Sequence, residues 1–480
     1  MDSAATEGGR VARRSALALL RHALVGLLAA SGCASGCPTH GGPVWREVVS
    51  EHFVLRTPLS LDQARTMALD LERTLEALVR ATYPRQEIPR QRIEVIAVDD
   101  LLDYFQGGRA LIAGWFSRSL LGEKLVLTTQ WQARRVMVHE LAHYVSGVFM
   151  PRQPRWLAEG LASWLETLEV EPGSAVIGQA NGLRLRYLRE GWSSLGEVLN
   201  DRALLTPGFY SAAWLIVDYL LNARGDDFLA FQRRLRQGRG SEAAFRESFP
   251  DLVANGALAA ALTRHAQAGV RRGRRVTFTS TVRASTQERV LAPTLAHVST
   301  AWLYLHANRS DRHAQARVLA ERALADDPRS GDAHLLAVMT ASDEAGALEA
   351  ARRAVAAVPD DWRLWALRGT REPEPTERRE ALARALVLQP DSALVHAALS
   401  SAELERGQLT PAEEHARRAV ALDPRDPGAV LAYALVAFAL RRCEDAGLAA
   451  ERLAELTIHA PPTPAQAARL ADARKACDAR

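Results

Sequence analysis

Val138-His139-Glu140-Leu141-Ala142-His143-Tyr144-Val145 places two histidines four residues apart in an apolar run, with a glutamate beside the first. On a helix, residues four apart share a face, so both imidazoles point the same way and can hold one Zn²⁺. Glu140 lies about 100° further round, within reach of a water on that metal, as a general base would be. The plain alternative is two surface histidines on an ordinary helix. What stands downstream as a third ligand decides between them.

One zinc-site pattern continues the motif with a glycine and a third histidine, but Ser146 and Phe149 occupy those positions. Instead there follows Trp156-Leu157-Ala158-Glu159-Gly160-Leu161-Ala162-Ser163-Trp164-Leu165-Glu166, beyond a short loop with Pro151 and Pro154. This resembles the W-x-x-E-G-x-A segment of gluzincins related to aminopeptidase N. That resemblance implies that Glu159 completes a His139, His143 and Glu159 zinc set with a fourth position left for water. Glu166, two turns later on the same face, reads as a supporting or structural residue. Trp45-Arg46-Glu47-Val48, Ser50 to Val54, Leu125 to Leu127 and Tyr210-Ser211-Ala212-Ala213-Trp214 extend the likeness to the peptidase-MA-like domains of bacterial secreted proteins, over roughly 45–265. The implied activity is zinc-dependent peptide-bond hydrolysis with Glu140 as general base. No Gly-x-Met-x-Asn exopeptidase signature is present, which leans the expectation towards an endopeptidase.

Upstream, His52 to Arg56 and Ile93 to Val98 read as strands, and Ser60-Leu61-Asp62-Gln63 caps a helix running to Val79. A Gly107-Gly108 loop precedes a third strand at Leu125-Val126-Leu127, and Thr129 is expected to open the zinc helix, with Gln132 three residues on. In thermolysin-like folds the edge strand before that helix binds substrate backbone. Leu125 to Leu127 is placed either for that role or as a plain interior strand. Tyr210 follows Pro207-Gly208 at a helix start. By resemblance it is either the donor to the oxyanion or a half-buried aromatic anchoring a helix pair, with Tyr144 as rival.

From 151 to about 267 the pattern is helical. Arg271-Arg272-Gly273-Arg274-Arg275 and the alternation Val276 to Val282 read as a solvated linker running into an edge strand, in preference to a basic patch. Beyond 290 the segments Ala323 to Pro328, Ala354 to Pro359, Ala385 to Pro390 and Ala419 to Pro424 align, with prolines 31, 31 and 34 residues apart. Helix pairs near a 34-residue period, each closed by proline, resemble tetratricopeptide repeats. No single pair buries its apolar face alone, so several must stack. Thr463-Pro464-Ala465-Gln466 caps a last helix.

With 480 residues, 48% hydrophobic and 24% charged, the chain has the balance of a globular protein of two or three domains, neither disordered nor polytopic. Sixty basic against 56 acidic residues, net +4, give no argument for a nucleic-acid partner. At the start, Arg10, Arg13, Arg14 and Arg21 precede the apolar run Ala23 to Ala30, a secretory signal too short to span a membrane. Ser31-Gly32-Cys33 resembles the lipobox of bacterial lipoproteins, and Ala34-Ser35-Gly36-Cys37 repeats it, implying a lipidated Cys33 or Cys37. Ala34 after Cys33 favours, by the same resemblance, the outer membrane and a chain facing the periplasm. Cys443 and Cys477 are the one plausible disulfide pair, or two free buried cysteines.

The expected architecture is therefore α+β. A leader (1–37) precedes a thermolysin/gluzincin-like metallopeptidase domain (45–268), a linker (269–290), an all-α tetratricopeptide solenoid (291–460) and a capping helix (461–480). Its expected partners are a peptide or protein substrate, a protein bound by the repeats, and a membrane through the lipid. The expectation of a different class is a non-catalytic envelope scaffold in which the repeats are the function.

Overall fold

The computed structural model describes residues 43–99, 101, 114–129, 133–190, 195–199, 205–253, 256–268, 273–283, 285–306, 310–456 and 463–478. Residues 1–42, where the leader with Cys33 and Cys37 is expected, and also Gly107-Gly108 and Gln132 lie outside them. The chain begins with β1 (Arg46–Val49), β2 (Phe53–Thr57), α1 (Leu61–Thr82), β3 (Ile93–Val98), β4 (Gly114–Ser119) and β5 (Gly122–Thr128). Helices α2 (Ala133–Phe149) and α3 (Arg155–Leu165) follow, then the hairpin β6 (Glu169–Glu171) and β7 (Ser174–Ile177). Next come α4 (Gly182–Glu190), α5 (Leu195–Leu199), α6 (Pro207–Ala223), α7 (Gly225–Arg236), α8 (Ser241–Ser248) and α9 (Ala257–Gln267). Strands β8 (Arg274–Thr277) and β9 (Gln287–Val290) lead into the repeats.

One six-stranded sheet runs β4-β5-β3-β2-β1-β9, with β2, β3 and β5 parallel and β4 antiparallel at one edge. Its central strands are covered on both sides, which is why Ile93 to Val98 is apolar at all but one position. Alternate side chains divide the two faces. Phe53, Leu55, Val95, Ala97, Leu125 and Leu127 pack with Leu71, Leu75, Leu78 of α1 and Val138, Leu141, Val145 of α2. The opposite face, with Ile96, Val98 and Val126, shares a core with Trp302, Leu303 and Leu336 of the repeats.

The repeats are helix pairs: α10 (Pro293–Leu305) with α11 (Ser310–Asp326), α12 (Gly331–Met339) with α13 (Glu344–Ala357), and α14 (Trp362–Arg371) with α15 (Pro375–Leu388). Then come α16 (Ala393–Glu405) with α17 (Leu409–Leu422), α18 (Pro427–Ala439) with α19 (Cys443–Leu456), and the last helix α20 (Pro464–Asp478). Ala323, Ala354, Ala385 and Ala419 are all wholly buried, so each second helix lies close against its neighbours. Two residues after each repeat proline stands the N-cap of the next helix, Ser330, Asp361, Ser392 and Asp426, whose side chain accepts from a first-turn N–H. The short 31-residue spacings have a plain cause. Helices α12 and α14 have 9 and 10 residues where α16 has 13, about one turn less. Thr463 and Gln466 exchange hydrogen bonds at the start of α20, as Ser60 and Gln63 do at α1. A disulfide joins Cys443 of α19 to Cys477 of α20.

The stretch 269–290 holds two strands: β8 lies at the edge of the sheet β6-β7-β8 at Arg274–Thr277, a little before the alternation Val276 to Val282, and β9, unmarked in the sequence, pairs with β1. The Thr129 hydroxyl donates to Asp99 Oδ1 at 2.6 Å, and the positions between it and Ala133, where α2 is first described, lie outside the described residues. Leu125 to Leu127 belongs to an interior strand, and the edge before the zinc helix is β4.

The contact between sheet and repeats is charged as well as apolar. Arg289, Glu47, Arg56, Glu94 and Lys124 alternate in sign across β9, β1, β2, β3 and β5. Arg56 bonds Glu47 at 3.1 Å and lies 3.0 Å from Glu94, which Lys124 Nζ meets at 2.6 Å. Lys124 is 6.0 Å from the Trp302 ring, and burial pushes its amine down despite Glu94. Trp115 of β4 stacks on Trp302 with centroids 5.9 Å apart, and His306 packs against both.

A pH dependence follows at this contact. Burial lowers the His306 pKa, outweighing its Nδ1–H bond to the Trp302 carbonyl at 2.9 Å. Neutral His306 therefore contributes stability that is complete above about 6.5 and is lost as pH falls from there through the lower folded value. Thermal melts between pH 7.5 and 5 should be steeper in pH for the native chain than for His306→Gln. Equal slopes would remove His306 from the account.

Candidate metal centre

Helix α2 presents His139 and His143 from successive turns, and α3 presents Glu159 against them. His139 Nε2 and His143 Nε2 are 3.1 Å apart, and Glu159 Oε2 lies 3.3 and 3.4 Å from them. Ligand atoms held about 2.0–2.1 Å from a tetrahedral zinc are about 3.3 Å from one another. The triangle fits that face. Glu159 Oε2 is buried and, apart from its 3.3 and 3.4 Å approaches to the two imidazoles, makes no hydrogen bond with the described residues, so a cation at the centre of the triangle would satisfy it. Among the described residues this is the one cluster of three with metal-ligand spacing.

The glycine after Glu159 has a steric reason. A Cβ at Gly160 would stand 2.6 Å from the Ala213 carbonyl oxygen and 2.6 Å from Val217, so its absence lets α6 lie directly on α3. Trp156 is buried against Phe231 and Phe245, and Trp164 donates to Asp218 Oδ1 at 3.1 Å. Both tryptophans thus fix α3 to the helices behind it.

Glu166, at the end of α3, faces His139 Nδ1 at 3.0 Å. The carboxylate can only accept there, so Nδ1 carries the proton and Nε2 turns its lone pair to the centre. Glu166 is itself held by Asn181 Nδ2 at 2.9 Å and by the Arg184 guanidinium. Burial would raise the Glu166 pKa, but the His139 hydrogen bond and the Arg184 charge bring it to about 2. Burial likewise opposes a charge on His139, yet its contacts with Glu159 and Glu166 lift it to about 10. Proton and metal therefore compete for one lone pair. The same imidazoles hold Glu159 well below the usual carboxylate range, against its burial.

Glu140 is half-buried next to His139 on α2. Tyr210 lies in the first turn of α6, below the N-cap Thr206, with its ring centroid 6.2 Å from that of His139 and the Arg184 guanidinium 5.0 Å over it. Burial, then the charges of Glu159 and Glu140, push the Tyr210 pKa up, so its hydroxyl keeps its proton near neutrality. Tyr144 is turned away, buried against Phe116 of β4. His139, Glu140, His143, Glu159, Glu166 and Tyr210 thus lie about one centre, and Tyr144 does not. Asn181 and Arg184 escape a reading of the sequence, because nothing in their local sequence marks them.

No family model matches the chain, and no curated protein matches it. Solved structures do show a likeness. A thermophilic TPR protein of Thermus thermophilus is 22% identical, with TM-score 0.29, over 36% of this chain and 96% of that one. Pseudomonas aeruginosa pilF is 20% identical, with TM-score 0.31, over 39% and 87%. YrrB, described as a TPR protein with an unusual peptide-binding site, is 18% identical, with TM-score 0.26, over 38% and 92%. These likenesses concern a helical repeat fold in part of the chain.

Proposed function

We propose that this chain is a zinc metallopeptidase of gluzincin type, an endopeptidase on protein or peptide substrates, with its zinc on His139, His143 and Glu159. The convergence of those three ligand atoms, one of them a buried carboxylate oxygen without a hydrogen bond, carries the reading. Bound zinc would lower the pKa of a water and polarise the scissile carbonyl. Glu140 would take the proton of the attacking water as its oxygen bonds to the carbonyl carbon, and would deliver that proton to the amide nitrogen as the C–N bond breaks. The Tyr210 hydroxyl donates to the carbonyl oxygen as charge builds on it. Glu166, braced by Asn181 and Arg184, keeps the His139 proton at Nδ1. The edge strand β4, beside α2, offers backbone groups to an extended substrate.

Placement at the outer membrane through a lipid on Cys33 or Cys37 belongs to the same proposal and rests on the leader alone. No described helix is long and apolar enough to cross a membrane.

The second reading is a non-catalytic scaffold whose repeats bind a protein. The repeat array itself favours it, because stacked helix pairs offer extended surface for a partner. The inner helices near the sheet are already covered, since Trp302 of α10 and Leu336 of α12 share a core with it. A partner would therefore use the pairs from α14 onwards. Metal content by mass spectrometry, with hydrolysis of an unfolded protein substrate, separates the two. Stoichiometric zinc and cleavage support the peptidase; a metal-free, inert chain supports the scaffold.

Tyr210→Phe removes one hydroxyl and keeps the ring against His139. A loss of about 10²–10³ in kcat at unchanged zinc content is expected. A fall of less than threefold would make Tyr210 a packing element.

A further inference from the structure

The far end of the repeats returns to the metal centre. Residues 150–154 form the only covalent link between the two ligand-bearing helices, running from Met150 to Pro154. Arg452 of α19, 301 positions away in sequence and 7% exposed, donates from its guanidinium to the Pro151 carbonyl oxygen. Glu451 Oε2, its neighbour, stands 3.4 Å from where a Cβ on Gly240 would lie. In the turn before α18, Arg425 lies 3.4 Å from the corresponding point on Gly147, one turn past His143, and 3.9 Å from Glu123 of β5. On the domain side the loop is braced as well. Gln153 Nε2 donates to Ser146 Oγ at 3.0 Å, and the Arg152 guanidinium fills the space over Gly238, whose φ is +90°.

A metal site tolerates about ±0.2 Å in its ligand distances. Glu159 lies five residues beyond Pro154 on a helix that starts at Arg155. Any shift of this loop is therefore carried to Glu159 relative to the two histidines, which belong to a different helix. A hydrogen bond that fixes the loop fixes the triangle.

We propose that the last repeat is a clamp on the metal centre, in which Arg452 is a positioning residue that holds the Met150–Pro154 loop and thereby tunes zinc affinity. This rests on the zinc reading above and adds to it a route of regulation. A ligand that draws α19 off the loop loosens the metal, and one that presses it down tightens it.

The test uses the full-length chain and zinc competition against a chromophoric chelator, beside melting of the metal-free protein. Supporting groups outside the ligand set typically change metal affinity 10–100-fold. Arg452→Ala is expected to bind zinc about 10-fold more weakly with the metal-free melting temperature nearly unchanged, and Arg452→Lys, which keeps a charged donor, to recover part of the loss. Arg452→Gln, with a shorter donor arm, is read the same way if the alanine variant does not fold. Zinc affinity within twofold of native in a folded variant overturns the clamp and leaves the zinc site standing. A native chain that binds no zinc removes the site and the clamp with it.

Discussion

A chain ending at residue 290 is expected to be insoluble, although it retains every proposed zinc ligand. Removing 291–480 strips Trp302, Leu303 and Leu336 from the sheet face that carries Trp45, Ile96, Val98, Leu101 and Val126, all of them buried in the native chain. Each such side chain returned to water costs about 2 kcal/mol, so five cost on the order of 10 kcal/mol. Domains are stable by only about 5–15 kcal/mol, so the loss consumes most or all of the margin. Lys124 and Glu94 gain solvent at the same time, a small compensation for exposed charges. The measurement is the fraction of soluble, monodisperse protein and its circular dichroism. A soluble, folded 43–290 fragment would mean that the sheet face is covered in some other way. The sequence alone suggests the reverse, a separable solenoid, because the ligands all precede residue 270 and the run 269–290 reads as a linker.

The second large effect is at Glu140. Glu140→Gln keeps the size of the side chain and loses its capacity to take a proton, so hydrolysis should fall by about 10²–10⁴. Zinc content should be unchanged, because the ligand triangle does not include Glu140. The variant thus separates the binding of metal from its use. Native-level hydrolysis by Glu140→Gln, with zinc bound, would falsify the role of the proton acceptor. No hydrolysis by the native chain on any unfolded substrate, with zinc bound, points to the scaffold.

What the sequence can reveal is governed by how local each feature is. His139 and His143 share a face because of helix periodicity alone, and Glu159 sits in a helix joined to theirs by five residues. The repeat spacing is visible through its prolines, since proline ends each helix at the same place. Glu166 is visible as a residue on the right face, though its bond to His139 Nδ1 depends on how α2 and α3 pack. The cover on the sheet is not legible. A run such as Ile93 to Val98 says that both faces are buried and not by what. Glu94 and Lys124 look like solvent-facing residues of a strand, and only the cross-strand register makes them partners. Strand β9, Gln-Glu-Arg-Val, is mostly exposed, so its composition is that of a linker, whereas the alternation from Val276 marks an edge strand overlapping β8. The edge strand β4 holds Gly114, Ser117 and Ser119, which give no strand signal; Gly114 is there because a Cβ would stand 2.5 Å from Val136 of α2.

The return of Arg452 to Pro151, and of β9 to β1, also sets an order of events during synthesis. Arg289 meets Glu47 across 242 positions and Arg452 meets Pro151 across 301. At about 5–20 residues per second, the interval between making His143 and making Arg452 is on the order of 15–60 s. Contacts this distant in sequence form late and slowly. Until α12 is complete at Met339, about 200 residues after His143, the parallel strands β2, β3 and β5 exist without the helices that cover Ile96, Val98 and Val126, the kind of surface on which nascent chains associate. Such a chain is expected to depend on a holding chaperone until α12 has been made, and its yield to depend on translation speed between residues 290 and 339 more than before it.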